Sequence, residues 1–336
     1  MNNFPYIIAE VGNNHDGDFE KAKDLVYAAK ECGADSVKFQ CINYLNWVTK
    51  DLPVFNRAKS KGIEKQLDRL KSVELSLDEY KKLAVICKEI GIDFGCTIFD
   101  KFILDQLDEF LSYRKISSGE IHNYETLKLH KNNKKPVIIS TGLVRDLKDI
   151  VLALDVLSDS EVFIMHCVSS YPVNSKNSNI NNIKKLMDLF PKHRIGYSDH
   201  TVGIESASLA LGLGATIIEK HFKLDSDKGD IGDKPLSANE LELKKLVDLG
   251  KYYFKQSLGE PVFKAKLSES WNQLVRKAHA KYNLKKGEKL TLENCEFLIS
   301  GKGEFTSFDI LNNEIILLNE VKKGNSIITT DIIRKD

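Results

Sequence analysis

Two histidines, two lysines and a set of short hydroxyl side chains carry most of the chemistry legible in this 336-residue chain. His200 stands in YSDHT and His221 in IEKHF, each closing a β-branched run. Two neutral imidazoles at similar height hold a borderline divalent metal and leave positions open for substrate oxygens and water. Two unrelated histidines with local hydrogen bonds are the plainer alternative. Lys38 and Lys115 combine with the hydroxyls of Thr97, Ser118, Ser140 and Ser198 and with the Ser118–Gly119 and Thr141–Gly142 turns. Such a set suits a phosphate or carboxylate ligand. One lysine at a strand end is ordinarily a solvated charge, but two on one inward ring need an anion to offset their burial. Glu10 and Glu120 face this cationic lining, and either pairs with a lysine structurally or works as an acid/base. His15 in NNHDG is a weaker case. His166 reads as a satisfied core residue pointing into the barrel layers. Trp47 either covers the pocket or packs on its own loop.

These residues converge only if the chain brings distant segments together. Strand candidates recur at Tyr6–Ala9, Ser36–Gln40, Asp93–Thr97, Tyr113–Ile116, Pro136–Ser140, Val162–His166, Arg194–Ser198 and Thr216–Lys220. Amphipathic stretches such as FEKAKDLVYAAKECG, stopped at Gly33, lie between them. Ser76–Glu79 and Ser237–Glu240 read as capping boxes that open helices. Eight strands alternating with helices predict an α/β fold with a parallel sheet closed into a (β/α)8 barrel. An open doubly wound sheet is the alternative, and no GxGxxG follows the first strand to favour it. In a barrel, Glu10, Lys38, Gln40, Thr97, Lys115, Ser118, Glu120, Ser140, Thr141, His166, Ser169, Ser198, His200, Glu219 and His221 all sit at the strand ends where active sites of this fold are built. The charged segment Asn43–Ser72 becomes a loop over that face, a lid or specificity element.

The barrel is expected over residues 1–255, followed by a linker at 256–275. A small β-rich domain with Gly turns at Gly287, Gly301, Gly303 and Gly324 is expected over 276–336. The chain is 42% apolar, and 49 basic residues nearly balance 48 acidic ones. That balance argues against a broad nucleic-acid or anionic-membrane surface. The absence of an 18-residue apolar run argues against a membrane span. The amino terminus lacks a charged and apolar leader pattern. Six cysteines without a CxxC pair fit reduced, buried thiols in a cytoplasm. Cys96 and Cys167 read as packing residues.

Taken together, the motifs resemble those of the sialic acid synthase family, bacterial synthases of N-acetylneuraminic and related nonulosonic acids. The matches are IIAEVGNNHDGD (Ile7–Asp18), VKFQ (Val37–Gln40), KISSGE (Lys115–Glu120), STG (Ser140–Gly142), HCVSSYP (His166–Pro172), GYSDHT (Gly196–Thr201) and IEKHF (Ile218–Phe222). KKGEKLT and VKKGNSIITTDI near the carboxyl end resemble the family's antifreeze-like (SAF) domain. The resemblance implies a TIM barrel with that domain appended, in a domain-swapped homodimer. It implies condensation of phosphoenolpyruvate with an N-acetylmannosamine-type sugar aldehyde and release of phosphate by C–O cleavage. A 2,4-diacetamido-trideoxy hexose, giving legionaminic- or pseudaminic-type acids, is the alternative substrate.

The same resemblance implies that His200 and His221 ligate a divalent metal, usually Mn2+, with Mg2+ or Co2+ as alternatives. It places Lys38, Thr97, Lys115, Ser118, Ser140, Ser169 and Ser198 on phosphoenolpyruvate, and Gln40, Glu120, Tyr171 and Asp233 nearer the sugar. Glu10, Lys38 and Lys115 become the catalytic groups. The sequence departs from the family pattern at Ser169, where some members carry asparagine. It departs again at GDIGD, residues 229–233, and at Ile299, where an arginine usually reaches the sugar's N-acyl group. An octulosonate-type synthase would need a second phosphate site, which the sequence does not offer. A non-catalytic carbohydrate-binding protein would not need the lysine, hydroxyl and histidine ring.

Overall fold

The computed structural model describes residues 5–42, 44–55, 62–131, 134–257 and 269–335. The chain divides into two compact units, Met1–Leu258 and Gly259–Asp336.

In the first unit, eight parallel strands close on themselves in sequence order: β1 (Tyr6–Gly12), β2 (Ser36–Cys41), β3 (Asp93–Ile98), β4 (Tyr113–Ile116), β5 (Val137–Ser140), β6 (Val162–Cys167), β7 (Arg194–Asp199) and β8 (Ile217–His221). The period of two divides each strand between two cores. Tyr6, Ile8, Tyr113, Ile138, Phe163, Met165 and Ile217 fill the barrel interior. The alternate residues, such as Ile7, Ala9, Val37, Phe39, Ile164 and Tyr197, pack against the surrounding helices. Helix α1 (Phe19–Glu31) is typical of that outer layer. It buries Ala22, Leu25, Val26 and Ala29 at spacings of three and four, and the Asp18 carboxylate caps its first turn. Fully burying one such leucine or valine is worth about 1.5–3 kcal/mol.

This alternation corrects one expectation. His166 does not point into the barrel. It faces the helix layer, stacked on Tyr197, with Nε2 2.7 Å from the Ser178 carbonyl oxygen. On the same outer face Lys220 Nζ lies 2.9 Å from Asp199 Oδ2 and donates to the Thr201 carbonyl. Both partners of that ion pair are fully buried. The pair ties β7 to β8 one residue before each of the two candidate metal ligands, His200 and His221.

Among its described residues, the segment between β2 and the next long helix has secondary structure. It carries α2 (Tyr44–Trp47) and α3 (Gln66–Lys71), with Pro53 bridged to Lys65; Asn43 and residues 56–61 lie outside the described residues. The Gln66 side chain accepts from the Phe55 amide at 3.1 Å. Helix α4 (Leu77–Ile90) opens with the expected Ser76–Glu79 capping box. The second expected box is shifted by two residues. Asn239 and Glu242 exchange the reciprocal bonds at the start of helix Glu240–Ser257. Ser237 instead accepts from Asn14 and donates to the Asp233 carbonyl, tying the loop after β8 to the loop after β1.

The second unit holds two antiparallel ribbons, β9 (Arg276–Ala280) with β10 (Cys295–Ile299) and β11 (Glu314–Leu317) with β12 (Ile332–Lys335). They enclose a core of Ala278, Leu284, Leu290, Phe305, Ile315 and Ile327. Of the expected linker, residues 258–268 lie outside the described residues, and Glu269–Leu274 form a short helix.

Candidate active site

Alternation along the strands and the stagger between them decide which side chains reach the barrel mouth. Glu10 pairs in register with Lys38 on one side and His221 on the other. Gln40 lies beside Thr97, Thr97 beside Lys115, and Ser198 beside Glu219. The ring closes around a cavity of about 620 Å3, to which the loops add Ser118, Ser169, Tyr171, His200 and Asp233. That volume falls within the range of roughly 300–1,000 Å3 of small-ligand sites.

The floor is a buried lattice of alternating charge. Lys38 Nζ lies 2.6 Å from Glu10 Oε2 and 3.6 Å from Glu219 Oε2, and donates to Thr97 Oγ1 at 3.1 Å. Lys115 Nζ donates to Glu219 Oε2 at 2.8 Å. Ser198 donates to the other Glu219 oxygen, and Gln40 Nε2 to Glu10 Oε1 at 2.7 Å. Burial pushes the Glu10 carboxyl above the usual carboxylate range, and the nearby Glu219 charge adds to this against the pull of Lys38. Burial acts on Glu219 in the same direction, but two ammonium groups overcome it and hold this carboxyl low. Burial lowers Lys115, which Glu219 only partly offsets, whereas Lys38 ends above its ordinary value because two carboxylates outweigh its desolvation. An anion entering this floor competes with Glu219 for both ammonium groups. Ser140 Oγ is buried at the same level with no hydrogen-bond partner among the described residues, so it is a donor turned toward such a ligand.

Beside the floor stand the two imidazoles, with ring centroids 5.3 Å apart. The Tyr171 ring lies 4.1 Å from that of His200 and edge-on to His221. His200 Nδ1 lies 2.8 Å from the Val168 carbonyl oxygen. Donation there leaves the Nε2 lone pair for a ligand, the arrangement that fixes a metal-binding tautomer. Burial, and then the proximity of His221, pushes the His200 imidazolium down to about 3, so the ring is neutral near neutrality. Asp233 Oδ2 lies 3.7 Å from His221 Nδ1. The neutral His200 ring beside the His221 ring, in an oxygen-rich cavity, suits a borderline divalent metal with open positions. Among the described residues no cluster of three or more His, Cys, Asp or Glu side chains completes an all-protein site.

The structure gathers Glu10, Lys38, Gln40, Thr97, Lys115, Ser118, Ser140, Ser169, Tyr171, Ser198, His200, His221 and Asp233 around this one cavity. It does not bring Glu120 there. That carboxylate turns to the start of the next helix, accepting from Asn123 Nδ2 and Thr126 Oγ1. Sequence reasoning placed Glu219 at a strand end without giving it a role. It also read Cys167 as packing, yet its thiol lines the cavity 3.7 Å from His200 Nδ1, with burial pushing it up to about 11. Trp47 reaches the rim, its ring 5.0 Å from that of Phe99, and Phe55 joins them. All six cysteines are buried free thiols, and among the described residues no helix is long and apolar enough to cross a membrane.

Comparison with known proteins agrees with this geometry. The NeuB family profile matches residues 25–262. The chain is 40% identical over 253 residues to an N,N'-diacetyllegionaminic acid synthase of Legionella pneumophila, covering 72% of this chain and 70% of that protein. It is 38% identical over 293 residues to the synthase of the same name from Campylobacter jejuni, covering 84% and 86%. A solved N-acetylneuraminic acid (sialic acid) synthetase from Leptospira borgpetersenii superposes with a TM-score of 0.71 at 32% identity, over 80% of this chain and 90% of that one. The lysine floor and the histidine pair thus sit in a sequence and a barrel of one lineage: the chain belongs to the NeuB family and is a phosphoenolpyruvate-condensing nonulosonic acid synthase.

Proposed function

We propose that the barrel mouth joins phosphoenolpyruvate to an open-chain sugar aldehyde of the N-acetylmannosamine type. The observation that carries this reading is the buried pair Lys38 and Lys115 on one floor with the Ser140 hydroxyl, which has no partner among the described residues, beside the imidazoles of His200 and His221. Lys38, Lys115, Thr97, Ser118, Ser140, Ser169 and Ser198 hold the phosphate and carboxylate by charge-assisted and hydroxyl bonds. They thereby fix the methylene carbon against the aldehyde carbon. Such positioning supplies on the order of 7–11 kcal/mol when the geometry is near-attack. Gln40, Tyr171 and Asp233 face the sugar.

A divalent metal on His200 and His221, manganese being the first choice, supplies Lewis-acid polarisation of the aldehyde oxygen when bound. The methylene carbon forms the new carbon–carbon bond, which leaves positive charge on the carbon bearing the phosphate. Glu10, poised by burial to accept a proton, orients and deprotonates the water that adds to that carbon. The tetrahedral adduct then expels phosphate by breaking the C–O bond. The second unit, with its SAF-like turns, fits a cover contributed across a domain-swapped homodimer, and the buried free thiols fit a cytoplasmic setting.

A 2,4-diacetamido-trideoxy hexose is the second reading. The apolar rim of Trp47, Phe55 and Phe99 favours it, as does the likeness to two N,N'-diacetyllegionaminic acid synthases. The test is phosphate release from phosphoenolpyruvate across a panel of both aldehyde classes with manganese present. Release with at least one class, abolished in folded His221→Ala, is the expected result. No release with any aldehyde, or undiminished release by the variant, contradicts the proposal.

A further inference from the structure

We infer that Arg69 and the small recess it borders hold an acylamino group of the sugar aldehyde, an inference that rests on the synthase reading above. The recess has a volume of about 50 Å3. It adjoins the main cavity at Phe55 and Asp233, which line both. One water needs roughly 10–15 Å3 of such space, so the recess has room for a group of a few heavy atoms. Phe55, Leu70, Val73 and Ile231 give it apolar walls, and Arg69 gives it a forked donor. Asn13, Asn14, Gln66 and Asp233 line it too, as do Asp16 and Lys234, which are paired with each other; an arginine fork between apolar walls suits a methyl group attached to a carbonyl.

The surrounding structure holds the helix that carries Arg69. Helix α3 is held to the Phe55 amide through Gln66, and its carboxyl end seats on the turn after β1. The seat is close enough that a Cβ on Gly17, at φ +78°, would lie 3.1 Å from the Ser72 carbonyl oxygen. On the opposite side, a Cβ on Gly232 would lie 3.8 Å from Arg69 Nη2, so the fork rests against the backbone that carries Asp233. Among the described residues the one hydrogen bond of the Arg69 guanidinium is a long one, 3.4 Å from Nη1 to Ser72 Oγ. The nearby carboxylate of Asp16 is already held by Lys21 and Lys234, each at 2.7 Å. Of the five guanidinium N–H groups, that bond engages one among the described residues, which leaves four for an incoming acceptor. With Asp16 and Asp233 beside it, the recess favours a neutral carbonyl over a phosphate dianion.

The experiment is calorimetric titration of the full chain, loaded with manganese and phosphoenolpyruvate. The probes are two unreactive open-chain alditols: reduced N-acetylmannosamine, and mannitol, which lacks the acylamino group. Losing a hydrogen bond from a charged donor weakens binding about ten- to hundredfold. Arg69→Ala is expected to lose that much for the acetamido alditol, while phosphoenolpyruvate and mannitol stay within about twofold. Ile231→Trp, which fills the recess from its other wall, is expected to give the same selective loss. Equal binding of the acetamido alditol by wild type and Arg69→Ala overturns the inference, as does a parallel loss of phosphoenolpyruvate. A wild type that holds phosphoenolpyruvate but not the acetamido alditol overturns the recess alone. Failure to hold either overturns the synthase reading and the recess together.

Discussion

Lys115 Nζ lies 2.8 Å from Glu219 Oε2, and both side chains are almost fully buried. Breaking one partner of such a pair leaves an uncompensated charge, which is why ammonium groups can be stored in a barrel interior without substrate. The same carboxylate lies 3.6 Å from Lys38 and accepts from Ser198, so one residue organises three of the groups assigned to phosphoenolpyruvate.

Lys115→Met keeps the length of the side chain and removes its charge. Glu219 retains Lys38 as a partner, so the barrel is expected to fold. Loss of one anion-holding donor from a desolvated site costs roughly 10²–10³ in rate. A kcat/KM for phosphoenolpyruvate within threefold of wild type, in a phosphate-release assay at saturating aldehyde, would count against the assignment.

Gly142→Ala probes the hydroxyl wall. The added Cβ would lie 2.5 Å from Ser169 Oγ, 2.9 Å from Ser118 Oγ and 3.0 Å from Cys167 Sγ. These are side-chain ends that rotate away, so the fold is kept and the donors are displaced. The expected result is a KM for phosphoenolpyruvate raised about tenfold, the equivalent of one neutral hydrogen bond, with an unchanged melting temperature. A lowered melting temperature with unchanged KM would show that Gly142 serves packing alone.

His15 sets a pH dependence of stability. It is buried, Gly17 N donates to its Nδ1 at 3.1 Å, and burial pushes its imidazolium down to about 4 from 6.5. The unfolded chain takes up a proton below pH 6.5 that the folded chain refuses. Stability from this group is therefore complete above about pH 6.5, falls as pH drops toward 4, and levels off below that. The total is about 3 kcal/mol. Urea denaturation from pH 7 to 4 should give His15→Gln a shallower loss than wild type, and parallel losses would contradict the role.

The barrel and most of its mouth were legible because strand period and strand order together decide which side chains meet. The β-branched runs ended where the structure ends them, to within a residue or a few, and each run carried its polar residue at the same end. Glu120 lies off the cavity because a carboxylate three residues before Asn123 serves the next helix start equally well, a choice that sequence spacing does not make. Glu219 was passed over because its role lies in pairing with lysines 104 and 181 residues away in sequence, not in its own motif. The shift of the capping box from Ser237 to Asn239 has a tertiary cause: the Ser237 hydroxyl is occupied by Asn14 and the Asp233 carbonyl. Arg69 looked like one charge among many on a polar loop. Only the fold brings its guanidinium to the recess beside Gly232 and Asp233.

Oxygen tracing in labelled water tests the central claim most directly. With phosphoenolpyruvate and the accepted aldehyde, water added at the phosphate-bearing carbon places heavy oxygen in the keto acid and none in the released phosphate. Heavy oxygen in the phosphate instead would mean attack at phosphorus, a reaction for which the lysine floor and its neighbouring Glu10 are not arranged.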